Sequence, residues 1–342
     1  MSRPRFVFGG LKAFFLMGLV AVAAVWAART PASAPGQVPQ LSLSPTLTIG
    51  VEEGDEKLMF GMIVRVDVDG RGNIYILDYK FSRVGVFDSK GNLLRHIAVP
   101  EGQGPQETTG MPGIAVTPGG TMFINDTQKV IVYGPDGRYA RTFLAGFTIT
   151  AIGCPGTEEL VVLGPHDGKI LHVFDAQGKP VASFGDTFMP PKKFESMKEM
   201  PMFGAPLRFD CAKDGRIFVL NPHKYEVSVF KDRKLEGVIE GRNDAFKPVR
   251  KTGFGFASTA ADIFSSGDLV FVALMTMDPK AKITADIFQA GRQVGSIDLP
   301  GMPIVADSQG MIYIAEQEEG PFGGMLGEGG FPKVIRYAFI KN

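Results

Sequence analysis

Several acidic and amide side chains stand at the ends of short apolar runs. Asp78 follows Ile74-Tyr75-Ile76-Leu77, Asn125 and Asp126 follow Met122-Phe123-Ile124, Asn221 follows Ile217-Phe218-Val219-Leu220, and Glu316 follows Ile312-Tyr313-Ile314-Ala315. Asp167 holds a comparable place after the run from Leu160. Their oxygens are hard donors, and several of them drawn to one point would suit calcium. A calcium ion held so could assist hydrolysis of an ester or lactone. The same residue types also satisfy free backbone groups in turns, so residue type alone leaves both roles open. The four histidines, His96, His166, His172 and His223, show no close paired spacing of the kind a zinc site uses. No Gly-x-Ser-x-Gly elbow is present for a serine nucleophile. The Gly-rich run from Gly320 to Gly330 lacks the following Lys-Ser/Thr and helix of a phosphate cradle, and reads as a long loop.

A second set is apolar. Between Asp186 and Ala205 lie Phe188, Met189, Phe194, Met197, Met200, Met202 and Phe203, interleaved with Lys192, Lys193, Lys198 and Glu195. Met275 and Met277 fall in a later loop, and Phe322, Met325 and Leu326 in the Gly-rich run. Methionine adapts its shape to varied partners, and clustered apolar side chains outside a core mark interaction surfaces. Phe194, Met197, Met200, Met202, Met275, Met277, Phe322 and Met325 are therefore the candidate contacts for a protein or an apolar ligand. The same side chains would also serve as a lid that plugs a channel mouth.

The elements that must position both sets emerge from an internal repeat. From Ile63 the chain reads apolar strand, Asp/Gly turn, apolar strand, polar loop, a strand ending in an aromatic residue, turn, and a fourth strand. The pattern recurs from Gly113, Ile149, Leu207, Ala260 and Pro303, in pieces of four to six apolar or alternating residues punctuated by Gly, Asp or Asn. Six such units predict an all-β, six-bladed β-propeller of four-stranded antiparallel blades, because one small sheet cannot cover both its apolar faces while radial neighbours can. The last unit lacks a fourth strand, and Thr46 to Val51 is placed to supply it beside Val334 to Ile340. Closure would remove an exposed sheet edge. In such a ring the links between blades and the loops between second and third strands share one face, which gathers both candidate sets there.

Asp69-Gly70-Arg71-Gly72-Asn73-Ile74-Tyr75-Ile76-Leu77-Asp78, with Val84 to Asp88 and Gly91, resembles an NHL-type blade. Gly102-Gln103-Gly104-Pro105-Gln106-Glu107 resembles the Gly-rich link of exported bacterial six-bladed propellers. The resemblance implies this fold from about residue 60 onward. Relatives by architecture include lyases and lactonases with metal ligands in the central channel as well as pure binding platforms, so it implies no single activity.

Arg3, Arg5 and Lys12 precede an apolar run from Ala13 to Ala28, the form of a secretory signal. Residues 1–28 are thus expected to be a signal peptide or membrane anchor, residues 29–45 a Pro/Ser-rich linker, and residues 46–342 the propeller. This places the protein in the periplasm or otherwise outside the cytoplasm, with membrane contact through the N-terminus if the signal is retained. Lys plus Arg and Asp plus Glu number 36 each, which excludes the basic footprint of a nucleic-acid binder. Cys154 and Cys211 occupy equivalent inner-strand places in neighbouring blades, too far apart for a disulfide, and are expected to be free. The expected function is non-catalytic extracytoplasmic binding or scaffolding without a cofactor. The alternative is a calcium-assisted hydrolase or lactonase using Asp78, Asn125, Asp126, Asn221 and Glu316.

Overall fold

The computed structural model describes residues 41–110, 112–154, 156–206, 208–252, 255–277, 281–302, 304–317 and 331–341. They form six four-stranded antiparallel sheets. In blade one the strands Ile63–Val68, Ile74–Asp78, Arg83–Phe87 and Leu93–Ala98 lie side by side in chain order. Blade two spans Gly113 to Leu144, blade three Ala151 to Asp186, blade four Phe209 to Glu240 and blade five Ala260 to Leu299, each in the same order.

The turns explain why these short strands pair in this register. Asp69 accepts hydrogen bonds from the backbone N–H of Arg71 and Asn73 at 2.9 and 2.8 Å, while Gly72 takes a left-handed φ of 81°. Asp307 repeats the arrangement at the equivalent turn of blade six, and Asp88 and Asp175 repeat it at the turns between third and fourth strands of blades one and three. The Asx side chain thus closes the loop at the length a tight hairpin needs. Tyr75 and Tyr313, each six residues after such an aspartate, direct their hydroxyls at it.

Packing follows the radial logic. The second strand of blade one is buried along its whole length, whereas its outermost strand mixes buried, half-buried and exposed residues. Among the described residues each neighbouring pair of blades shares its own apolar cluster. Val64, Tyr75, Ile114 and Ile124 join blades one and two, and Phe271, Ile287, Ile304 and Ile314 join blades five and six.

Blade six closes the ring. Its strands Ile304–Ala306, Ile312–Glu316 and Lys333–Lys341 are completed by Leu41–Ile49, with Leu41 opposite Lys341 and Ile49 opposite Val334. The closing strand starts five residues earlier than the sequence suggests, because Leu41 and Leu43 pack against the cluster between blades five and six. Leu41 to Pro45 therefore belong to the sheet and not to a linker. A second clasp spans the same seam: Gln317 accepts from the Ile63 N–H at 2.9 Å and donates to the Ile63 carbonyl at 2.8 Å. The expected signal segment lies outside the described residues. No described helix is long and apolar enough to cross a membrane.

Candidate ligand pocket

Two links shape the face on which the candidate residues were expected. The first, from blade three to blade four, holds a 3-10 turn, Lys192–Met197, and folds back so that the Phe188 N–H donates to the Gly204 carbonyl and the Met202 N–H to the Ala205 carbonyl. Gly204 is required by close approach, since a Cβ there would sit 1.7 Å from the Lys198 carbonyl oxygen. Met202 is held at a left-handed φ of 72°, a costly conformation for a residue with a side chain. The second link, from blade four to blade five, adds the hairpin Arg250–Thr252 with Gly255–Ala257, an element the repeat pattern does not foretell.

An aromatic cluster fastens the links together. Buried Phe203 meets Phe256 edge-on at 5.0 Å between centroids and Phe194 at 5.3 Å, and Phe194 meets Phe256 at 5.6 Å. His223, in the loop between second and third strands of blade four, donates from Nε2 to the Phe203 carbonyl at 2.6 Å. Burial lowers the pKa of this histidine, and the Phe203 contact opposes the shift only in part, so it stays neutral at physiological pH.

Beneath these links lies a cavity of ≈ 370 Å³. Met202 and Pro206 come from the first link, Val249, Phe256 and Ala257 from the second, Leu220 and Pro222 from blade four, Met275 from blade five and Met302 from the following link. Arg208 and Asp262 form its polar floor. Arg65 reaches Asp262 from the channel side at 3.7 Å. Burial, then repulsion from Arg65, pushes the Arg208 pKa down to about 9 against a partial pull from Asp262.

Below the floor, charged side chains tie the inner strands across the channel, around a smaller cavity of ≈ 70 Å³. Asp67 accepts from the Val116 N–H of the next blade at 2.7 Å and faces Lys213 of the opposite blade at 3.5 Å. Asp262 likewise takes a 3.4 Å contact from the Ile304 N–H of its next blade. Asp210 accepts from the Ser265 hydroxyl, and burial raises its pKa to about 7 despite that bond and Lys213. Burial alone would lower the Lys213 pKa, but Asp67 and Asp210 outweigh it and raise it. Cys154 and Cys211 are free thiols. Cys154 packs in the cluster of blades two and three and Cys211 against that of blades three and four, and burial raises both their pKa values.

Of the apolar candidates, Met202 and Met275 line the pocket and Phe194 stands one layer behind it. Met275 lies not in a loop but within the nine-residue strand Leu269–Met277, opposite Ile283, because pairing continues to Met277 opposite Ala281. Met197 ends the 3-10 turn half-buried, and Met200 is 48% exposed on the link. Phe322, Met325 and the Met277 side chain lie outside the described residues.

The oxygen donors are each occupied within their own surroundings. Asp78 accepts from the N–H groups of Gly61 and Met62, both at 3.0 Å. Asn125 accepts from the Gly113 N–H, and Asn221 from the His223 N–H. Asp126 accepts from Thr109 and Thr127, donors that outweigh its burial and lower its pKa. Glu316 accepts from the Tyr337 hydroxyl and faces Lys333 at 3.6 Å. Among the described residues no three His, Cys, Asp or Glu side chains gather as a cation site.

Sequence reasoning passed over Arg208, Asp262, Phe256 and Met302. A signal for the first two was present: Arg65 and Asp67 alternate with valines on an inner strand, and Arg208 with Asp210 repeats the spacing. Charge at every second position of an innermost strand points into the channel.

Fold and site together define a six-bladed β-propeller with an apolar pocket at one mouth of its channel. Solved structures agree on the fold. A protein of Bacteroides fragilis whose name assigns it to export superposes with a TM-score of 0.56 at 10% identity, covering 88% of this chain and 96% of that one. A DUF4221-family member from Bacteroides vulgatus gives 0.56 at 9% identity, covering 89% and 100%. The PQQ-bound aldose sugar dehydrogenase of Streptomyces coelicolor gives 0.53 at 11% identity, covering 89% and 100%. No protein-family model and no curated protein sequence matches the chain.

Proposed function

We propose that this chain is a non-catalytic binding propeller of the NHL-like kind, acting outside the cytoplasm, that holds a small apolar molecule beneath its two folded links. The observation that carries the reading is the cavity of ≈ 370 Å³ walled by Met202, Phe256, Met275 and Met302. Its volume falls in the range of about 300–1,000 Å³ that small-molecule sites occupy. Thioether and ring walls adapt to an apolar guest without fixing its shape. The NHL-like kinship is supported by the Asp69 and Asp88 turns and by the matching Tyr75 and Tyr313. Action outside the cytoplasm is supported by Arg3, Arg5 and Lys12 ahead of the apolar run, and by the similar Bacteroides fragilis structure whose name assigns it to export.

Titration with N-phenyl-1-naphthylamine, a neutral dye that fluoresces in apolar surroundings, tests the reading. The protein should bind about one dye per chain, and Ala257→Trp, which fills the cavity from the hairpin, should abolish binding while the blades stay folded. Equal binding by the filled variant would remove the pocket as the site.

A further inference from the structure

The two links that roof the pocket are more basic than the chain they belong to. Residues 187–205 expose Lys192, Lys193 and Lys198 against Glu195 and Glu199, and residues 241–259 expose Arg242, Lys247, Arg250 and Lys251 against Asp244. Seven cations thus stand against three anions on a protein whose charges balance at 36 of each sign. Among the described residues none of the seven pairs with a carboxylate. Two of them flank the aromatic cluster that fastens the links. Lys193 Nζ lies 4.8 Å from the centre of the Phe194 ring, and Lys251 sits opposite Phe256 in the hairpin. On the same link as Lys193, Met189 and Met200 are 62% and 48% exposed.

Unpaired cations and exposed thioethers on one surface match a partner that offers both negative charge and hydrocarbon. An anionic lipid bilayer does so: its phosphate head groups attract Lys and Arg, and the acyl boundary just beneath them takes up apolar side chains. An apolar guest is also scarce in water and concentrated in lipid, so a pocket that collects it works best where it meets a bilayer. We propose that the two links dock the propeller on an anionic lipid bilayer, with the pocket lying between the membrane and the channel. The supply of the guest rests on the reading of the cavity as its binding site, whereas docking rests on the charge and exposure of the links alone. Each cation close to such a surface raises the affinity about fivefold.

A single indole on each face of the full-length protein tests the docking, with Trp26→Phe removing the natural one. Met200→Trp places it on the first link, and Lys90→Trp places it on the turn between third and fourth strands of blade one, at the opposite end of the ring. Vesicles of phosphatidylglycerol with brominated acyl chains quench an indole only on contact with the acyl region. They should quench the Met200→Trp protein and leave the Lys90→Trp protein bright, whatever holds the N-terminus. Raising NaCl from about 50 mM to about 500 mM should reverse most of the quenching, because salt screens exposed charges. Adding Lys192→Gln, Lys193→Gln and Lys251→Gln should raise the lipid needed for half-quenching at least tenfold. No quenching at Met200→Trp, equal quenching at both faces, or equal quenching by brominated phosphatidylcholine at high salt would overturn the proposal. An emission shift with soluble polyglutamate but none with vesicles would overturn it in favour of an acidic protein partner. Failure of the naphthylamine dye to bind, with quenching by vesicles intact, would remove the pocket reading and leave the docking. Should the triple variant not fold, the two faces and the salt series still decide the matter.

Discussion

Asp210 should make the protein less stable as the pH rises from about 4 to 7. In the unfolded chain its carboxyl has the ordinary value of 3.8, whereas burial in the channel raises it to about 7 in the folded protein. Between these values the folded state binds a proton that the unfolded state has lost, so folding stability falls with rising pH across this window and levels out above it. A rise of about three pKa units at about 1.4 kcal/mol each gives about 4 kcal/mol. Asp210→Asn keeps the shape and can still meet the Ser265 hydroxyl, but it does not titrate. Urea unfolding of both proteins at pH 4.5 and pH 8 isolates this one group, because Asp126, whose lowered pKa acts in the opposite direction, is common to both. The variant should gain about 3–4 kcal/mol on the parent between the two pH values. A stability difference that does not change with pH, or one that grows in the parent's favour, would refute the burial argument.

Other consequences can be measured in parallel. Gln317→Ala leaves the buried N–H and C=O of Ile63 without their clasp, which should cost about 2–4 kcal/mol; an unshifted urea midpoint would show that the outer strand Leu41–Ile49 closes the ring unaided. Gly204→Ala places a methyl group 1.7 Å from the Lys198 carbonyl, so the link must open and dye affinity should fall at least tenfold with the blades' unfolding midpoint little changed; tight dye binding would contradict the role of the link. Thiol titration under denaturing, non-reducing conditions should find two free thiols per chain, and a linked Cys154–Cys211 peptide would overturn the separation of these residues into different inter-blade clusters.

The ring was legible because each blade announces itself locally. Asp69, Asp88, Asp175 and Asp307 mark turns through their own side-chain hydrogen bonds, and period-2 apolar runs mark the strands between them. Closure was legible in the missing fourth strand of blade six, although its start at Leu41 depends on packing against Phe271's cluster, a contact distant in sequence. The pocket was legible in half. Met202 and Met275 stood out as methionines outside an evident core, but Phe256 and Met302 become neighbours only when two successive links fold over one channel mouth. Arg208, just before the strand Phe209–Cys211, and Asp262, within Ala260–Ser266, carried a weaker signal, because a charged residue there looks like a solvent-facing position until the strand is known to be the innermost one. Asp78, Asn125, Asp126, Asn221 and Glu316 recur near the ends of second strands in blades one, two, four and six, where the first four accept from nearby backbone N–H groups and Glu316 accepts from the Tyr337 hydroxyl.

The pocket itself can be watched directly with one reporter. Trp26 is the sole tryptophan of the chain, so the full-length protein with Trp26→Phe and Phe256→Trp carries a single indole at the cavity wall. A ten-carbon alcohol brominated near its chain end quenches indole emission only on contact. Quenching should saturate with increasing ligand and be reversed by unbrominated 1-decanol; quenching that stays weak and linear, as for free tryptophan in solution, would contradict a ligand bound beneath the links.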